Sequence, residues 1–296
     1  MKKNTYILIS VFVILLAVAF LVLQKPGERS ASSASTGPMF MIDSVMVDKI
    51  EIKVEKASVV LEKRGAEWYV VQPVSYKADQ ANVGQTLHQL KVLEVKNVVS
   101  SKPQKHAVFQ VDQKGTEVKL YENGIQKAGF ILGKMAGGYN EYYARKLNSN
   151  DVLIVEGVYG YTFNRVLKDW RDRTIAAVPK DNIKEVRYQY GDTIFTMTLQ
   201  NNAWLVGKDT VQQSAADGIL TALSNVQADD FVDSVMAKKV TATVSYAGVQ
   251  LRFSYDKAAQ KFYLQSSSTP QWFFLDQWKA NQILKRKKEI LEARKK

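Results

Sequence analysis

Residues 5–23, TYILISVFVILLAVAFLVL, run nineteen positions without a charged side chain, and no other feature limits the architecture of this chain as much. At about 1.5 Å per residue a helix of that length extends roughly 28 Å, close to the ~30 Å hydrocarbon thickness of a bilayer. A cleaved signal peptide would have a shorter apolar core, about 7–15 residues, with a small-residue cleavage site close behind it. Here Lys25, Pro26, Glu28 and Arg29 intervene before Ala31. Residues 1–23 therefore read as a cytoplasmic N-terminus and an uncleaved, single-pass transmembrane anchor. Lys2, Lys3 and the amino terminus outweigh Lys25 and Arg29 once Glu28 is set against them, so the positive-inside rule sends the rest of the chain out of the cytoplasm.

Residues 24–44 begin with QKPGERSASSASTGPM, a stretch of Ser, Ala, Gly and Pro that reads as a flexible tether. Beyond it the composition is that of a folded body. Of 296 residues 46% are hydrophobic and 10% aromatic, and 41 Lys and Arg against 29 Asp and Glu give a formal charge of +12, enough chain for one large or two ordinary domains. Cysteine is absent, which excludes disulfides, thiolate metal sites, iron–sulfur clusters, cysteine nucleophiles and a lipidated cysteine.

The body divides into two halves that can be laid over each other. A shift of 136 places Trp68 on Trp204, Val83 on Ile219, Leu87 on Leu223, Leu90 on Val226 and Val95 on Phe231; a shift of 120 then places Tyr143 on Tyr263, Leu153 on Phe273 and Val155 on Leu275. This predicts a tandem duplication, with a first α+β repeat at 45–175 and a second at 176–290. In the first, Ile50, Ile52 and Val54 alternate with Glu51 and Lys53, and Val59, Leu61 and Trp68–Val71 continue the strands. Asp79 is placed to cap a helix over 79–92 with Val83, Leu87 and Leu90 on one face. Strands are predicted near 94–99, 116–122, 127–132, 141–146 and 152–155, with a closing helix near 157–168. Runs of antiparallel strands with one main helix per copy give an α+β fold.

At this point the chain resembles the bacterial domain of unknown function 4340 family. The residues that carry the resemblance are the strands ending in Trp68, then Pro73, the Ala78–Asp79 helix start, Tyr143–Ala144–Arg145, and the junction Asp169–Trp170–Arg171–Asp172–Arg173–Thr174. One departure is Phe109–Gln110–Val111, where family members tend to carry a Tyr-Gly-Leu-like segment. The resemblance implies a bacterial inner (cytoplasmic) membrane protein, commonly encoded beside ABC-transporter permeases and gliding-motility-type auxiliary proteins. It implies no catalytic residues.

The residues offer little chemistry of their own. His88 has no Cys, Asp, Glu or second His at i+3 or i+4, and His106 sits in the basic loop SKPQKH. GFILGK at 129–134 lacks the spacing and the Ser or Thr of a phosphate loop and reads as a hairpin, Gly137–Gly138 as a positive-φ turn, and Asp229, Asp230 and Asp233 as a solvated strand entry. No metal or cofactor is expected.

Three groups remain as candidate surfaces. Tyr139, Tyr142, Tyr143, Tyr159 and Tyr161 could offer flat faces and hydroxyls to a cell-envelope glycan or a protein partner, although packing accounts for many such tyrosines. Asp169, Trp170, Arg171, Asp172 and Arg173 alternate charge around an indole between the copies, as a salt-bridged hinge would. Residues 279–296 carry eight basic and two acidic side chains around Ile283, Leu284, Ile290 and Leu291. This segment reads as a basic C-terminal helix with Lys285, Arg286, Lys287 and Lys288 as anionic-lipid contacts. Nucleic acid is an improbable partner for a body outside the cytoplasm. The expectation is a non-catalytic, membrane-anchored binding or scaffold subunit, auxiliary to an ABC-type transport or gliding-like surface system. The alternative is an independent polysaccharide or peptidoglycan binder of the cell envelope.

Overall fold

A computed structural model of the chain describes residues 36–234 and 238–292. The expected anchor lies outside the described residues, and among those described no helix is long and apolar enough to cross a membrane. The chain divides into two units between Arg165 and Val166, ten residues ahead of the expected boundary.

The first unit is built on β1 (Gly37–Pro38), β2 (Lys49–Val54), β3 (Ala57–Arg64), β4 (Glu67–Gln72), β5 (Tyr76–Lys77), β6 (Glu94–Ser100), β7 (Thr116–Glu122), β8 (Ile125–Met135), β9 (Tyr142–Lys146) and β10 (Val152–Glu156). They form one antiparallel sheet in the order β1-β6-β10-β9-β8-β7-β2-β3-β4-β5. Alternation sets its faces: Ile50, Ile52 and Leu61 are buried, as are Val118 and Leu120 on the strand beside them. The helix α1 (Gln80–Lys91) starts where Asp79 accepts the Asn82 N–H, and buries Val83, Thr86 and Leu90 while Leu87 is only half-buried. Its first residue, Gln80, accepts the Trp68 N–H at 2.9 Å and donates to the carbonyls of Trp68 and Ala78 at 3.0 and 2.7 Å, tying the helix to β4.

Several expectations need correction here. The tether ends early, because Gly37–Pro38 pairs with Val95 and Glu94, Met39 is buried and Phe40 meets Phe130: apolar side chains at 39 and 40 have a core to enter. GFILGK is no hairpin but the interior of the eleven-residue β8. The positive φ of the following turn belongs to Asn140 rather than to Gly137 or Gly138. The helix expected near 157–168 is two single turns, α3 (Gly160–Phe163) and α4 (Leu167–Trp170), separated by an extended Val166. A further short turn, α2 (His106–Phe109), lies before β7.

The second unit contains β11 (Thr174–Ala177), β12 (Glu185–Tyr190), β13 (Thr193–Gln200), β14 (Ala203–Val206), β15 (Asp209–Thr210), β16 (Asn225–Gln227), β17 (Asp230–Val232), β18 (Ala242–Tyr246), β19 (Val249–Asp256), β20 (Lys261–Ser266) and β21 (Trp272–Leu275). Its sheet runs β15-β14-β13-β12-β18-β19-β20-β21-β17, while β11 pairs only with β16. Read from the same end, the first unit runs β5-β4-β3-β2-β7-β8-β9-β10-β6 before its extra edge strand β1, so the second unit's order matches it strand for strand up to β1. The helices are α5 (Gln213–Ser224), α6 (Gln277–Ile283) and α7 (Lys287–Glu292). The last two correct the expected single C-terminal helix, which breaks at an extended Leu284 so that Ile283 and Ile290 can both be buried.

The register between the units also departs from the expected shift. Trp68 and Trp204 do correspond, for the carbonyl of each accepts the N–H that precedes a helix, from Ala78 and from Val211. Between these points, however, Val70 pairs with Tyr76 whereas Val206 pairs with Asp209, a connection three residues tighter. Counted from the N-caps Asp79 and Gln212, the buried Val83, Thr86 and Leu90 then fall on the buried Ala216, Ile219 and Leu223. Leu87 therefore matches Leu220, not Leu223. A slip of three residues is nearly one helical turn, so it keeps apolar residues over apolar residues and is invisible to pattern matching.

Candidate functional site

Adjacent residues of a strand point to opposite faces, and this separates the tyrosines of the first unit. Tyr143 turns to Phe109, with ring centres 4.6 Å apart, beside the buried Val111, Ile131 and Val152. Tyr142 lies over Gly160, where an added Cβ would stand only 3.0 Å from its ring. Tyr159 and Tyr161 flank that glycine and stack on each other at 5.6 Å and 29°. The structure thus brings Tyr142, Tyr159 and Tyr161 to one place and puts Tyr143 elsewhere. Tyr139, 87% exposed, stands in the turn before β9. Two glutamines of α1 hold this corner: Gln89 accepts the Tyr159 N–H at 3.0 Å, and Gln85 accepts from Arg165 at 2.5 Å.

The Asp169–Arg173 segment belongs to the second unit. Trp170 is buried, Asp172 accepts the Thr174 N–H, and Arg173 comes within 3.9 Å of Asp169. Arg171 reaches beyond the segment, donating to both carboxylate oxygens of Asp233. Asp229 is taken by Lys279 and Asp230 accepts the Phe231 N–H, so the three aspartates go to separate structural tasks. No group of three potential metal-ligating side chains occurs among the described residues. His88 is exposed, and His106 lies 3.0 Å from the Asn150 carbonyl.

The basic residues also separate. Arg286 lays its guanidinium 3.7 Å over the Tyr190 ring, while the Tyr190 hydroxyl donates to the Lys285 carbonyl at 2.9 Å. Lys287 lies beside β13 and β14, and Lys288 comes within 3.8 Å of Glu292. Lys285 is half-buried and lines a cavity of about 820 Å³.

That cavity, a half-open cleft between α5 on one side and α6 and α7 on the other, is what pattern reasoning missed. Its walls include Gly218, Ala222, Val226, Leu275, Ile283 and the 58%-exposed Trp278. The available signal was the row of small residues Ala215, Gly218 and Ala222 on a helix whose adjoining face is apolar. A volume near 820 Å³ lies inside the range of about 300–1,000 Å³ usual for small-molecule sites.

Fold and site together define an antiparallel α+β protein of two units with one strand order, the second carrying an apolar cavity. The chain matches the family described as a domain of unknown function (DUF4340) over residues 68–248, from the first unit well into the second, and it belongs to that family. No curated protein and no solved structure matches it.

Proposed function

We propose that this protein is a non-catalytic binding or scaffold subunit, held in the bacterial inner membrane by residues 5–23 with a tandemly duplicated body outside the cytoplasm. Its partner is an ABC permease or a gliding-type auxiliary subunit. One observation carries the binding reading. Where the first unit closes the space beside its helix with Gln85 and Gln89, the second has Gly218 and Ala222 at the same helical steps and a cavity beside them. The partner class rests on the family resemblance, and a spanning helix favours it by raising the effective concentration against other membrane proteins. Ser10, Ala17 and Ala19 are the small residues that would admit a permease helix.

The test is to solubilise the tagged full chain in mild detergent and identify what accompanies it by mass spectrometry. An ABC permease or gliding-type subunit should be recovered, and lost when residues 5–23 are exchanged for an unrelated spanning helix. Recovery of the protein alone would defeat this reading.

The stacked Tyr159–Tyr161 pair favours a second reading, a cell-envelope glycan binder. Cosedimentation with peptidoglycan or polysaccharide, abolished by Tyr161→Ala, would support it.

A further inference from the structure

We infer that the cavity of the second unit takes up the aliphatic chain of a fatty carboxylate, with its head group on Lys285. This rests on the binding reading above and names the ligand class of the same site. The two units supply the first argument. Gln85 and Gln89 reach across from α1 to Arg165 and to the Tyr159 N–H, filling the space against the closing segment. Gly218 and Ala222 occupy those steps of α5, counted from the N-caps, and neither can reach across. The second unit keeps the helix and the closing turn, since Phe163 and Ile283 are both buried, but leaves open the volume between them.

The chemistry of the walls supplies the second. Val226, Leu275, Ile283, Ile290 and the Trp278 indole present apolar surface, whose removal from water by an aliphatic chain is favourable. Two of the polar wall groups that could recognise a peptide backbone, Thr221 and Gln227, are already engaged. Thr221 donates to the Asp217 carbonyl and accepts from Lys180, and Gln227 donates to Thr174 and Asn225 while its carbonyl accepts from Lys279.

Charge supplies the third. Lys279 is neutralised by Asp229, and Glu289 accepts the Arg286 N–H at 2.6 Å. Lys285 makes no ion pair among the described residues. Among the described residues Lys285 is thus the one wall cation left for a carboxylate, on a wall that also holds Glu289, whose charge a backbone N–H does not cancel.

Dibromostearate is the probe, because bromine quenches an indole that it touches. Full-length protein in phosphatidylcholine nanodiscs is titrated and tryptophan emission recorded. Trp278 is the one tryptophan of the cavity wall, so the expected quenching saturates, is displaced by unbrominated stearate and disappears in Trp278→Phe. Gly218→Gln copies the first unit, and a Cβ there meets nothing within 4 Å, so the variant is expected to fold and to lose the quenching. Lys285→Glu should weaken the carboxylate about tenfold, with little effect on dibromostearyl alcohol. Quenching that does not saturate, survives Gly218→Gln in a protein of unchanged circular dichroism, or is equal for alcohol and acid would overturn the proposal. So would quenching obtained only from brominated phosphatidylglycerol built into the nanodisc, which would make the segment a bilayer contact. If dibromostearate fails while Gly218→Gln abolishes recovery of the membrane partner, the ligand class falls and the binding reading stands. If dibromostearate fails and partner recovery is indifferent to Gly218→Gln, both fall.

Discussion

The guanidinium of Arg171 lies 3.5 Å from the centre of the Phe231 ring and donates to both carboxylate oxygens of Asp233, at 2.8 and 3.0 Å. One side chain, only 3% exposed, thereby joins the segment ahead of β11 to β17 and the residue just past it. The planar guanidinium lays a flat face on the ring while its Nη1 donates to both carboxylate oxygens, and an ammonium has no such face to lay there. Arg171→Lys should therefore cost about 1–2 kcal/mol although charge is conserved. Urea unfolding of the wild type and variant would measure it, and a change below about 0.5 kcal/mol would show that charge alone matters.

Gly133 in β8 has no room for a side chain: a Cβ would stand 2.2 Å from the Phe109 carbonyl oxygen and 2.9 Å from Val111 Cγ1. Gly133→Ala should destabilise the first unit by about 3 kcal/mol or more, since backbone cannot move aside cheaply. At Gly137 a Cβ meets nothing within 4 Å, so Gly137→Ala should stay within about 0.5 kcal/mol of wild type. Thermal melts of the two variants would separate them; equal melting points would contradict the packing around β8.

These glycines mark what the sequence could and could not convey. Period-two alternation at Ile50 and Ile52 and the Asp79 cap located β2 and the helix almost to the residue, because these are local signals. The glycines of GFILGK instead answer to Phe109, Val111 and Leu147, distant in sequence, so a local reading took them for a turn. The helix register slipped for the complementary reason, that apolar residues recur every turn. The cavity was hidden because its mark is the absence of two long side chains, at Gly218 and Ala222, visible only against Gln85 and Gln89 in the correct register.

On the outer face of β2, Glu51 receives Lys49 at 2.9 Å and the Tyr121 hydroxyl at 2.9 Å. Burial by itself would raise the Glu51 carboxyl, but those two hydrogen bonds, with the charges of Lys49 and Lys119, hold it below the usual carboxylate range. A carboxylate depressed in the folded state contributes stability above its unfolded pKa of about 4.3, and that contribution is lost as pH falls through the folded value. Glu51→Gln should flatten the acid limb of a stability–pH curve below about pH 4.3 while costing under about 1 kcal/mol at neutral pH. Parallel acid limbs for wild type and variant would refute this.

Tyr190 holds the C-terminal segment by its hydroxyl, which donates to the Lys285 carbonyl, and by its ring, on which Arg286 lies. Burial pushes this phenol up to about 12, with Arg286 opposing and Glu289 adding to the rise. Folding therefore favours the protonated form, which is also the form that can donate to Lys285. The contribution is fully present below the unfolded value of about 10 and is lost as pH rises from there towards about 12. Tyr190→Phe should cost about 1 kcal/mol near neutrality for the lost hydrogen bond. It should also reduce the alkaline decline without removing it, because burial raises the Tyr188 and Tyr246 hydroxyls as well. Hydrogen exchange adds a local readout. The amides of Leu284 and Ile290, which donate to the Ala280 and Arg286 carbonyls, should exchange faster in the variant, while Leu199, bonded to the Lys184 carbonyl, should not change. Equal acceleration at all three would mean that the substitution loosens the whole unit, and unchanged exchange at Leu284 and Ile290 would mean that Arg286 stacking alone holds the segment.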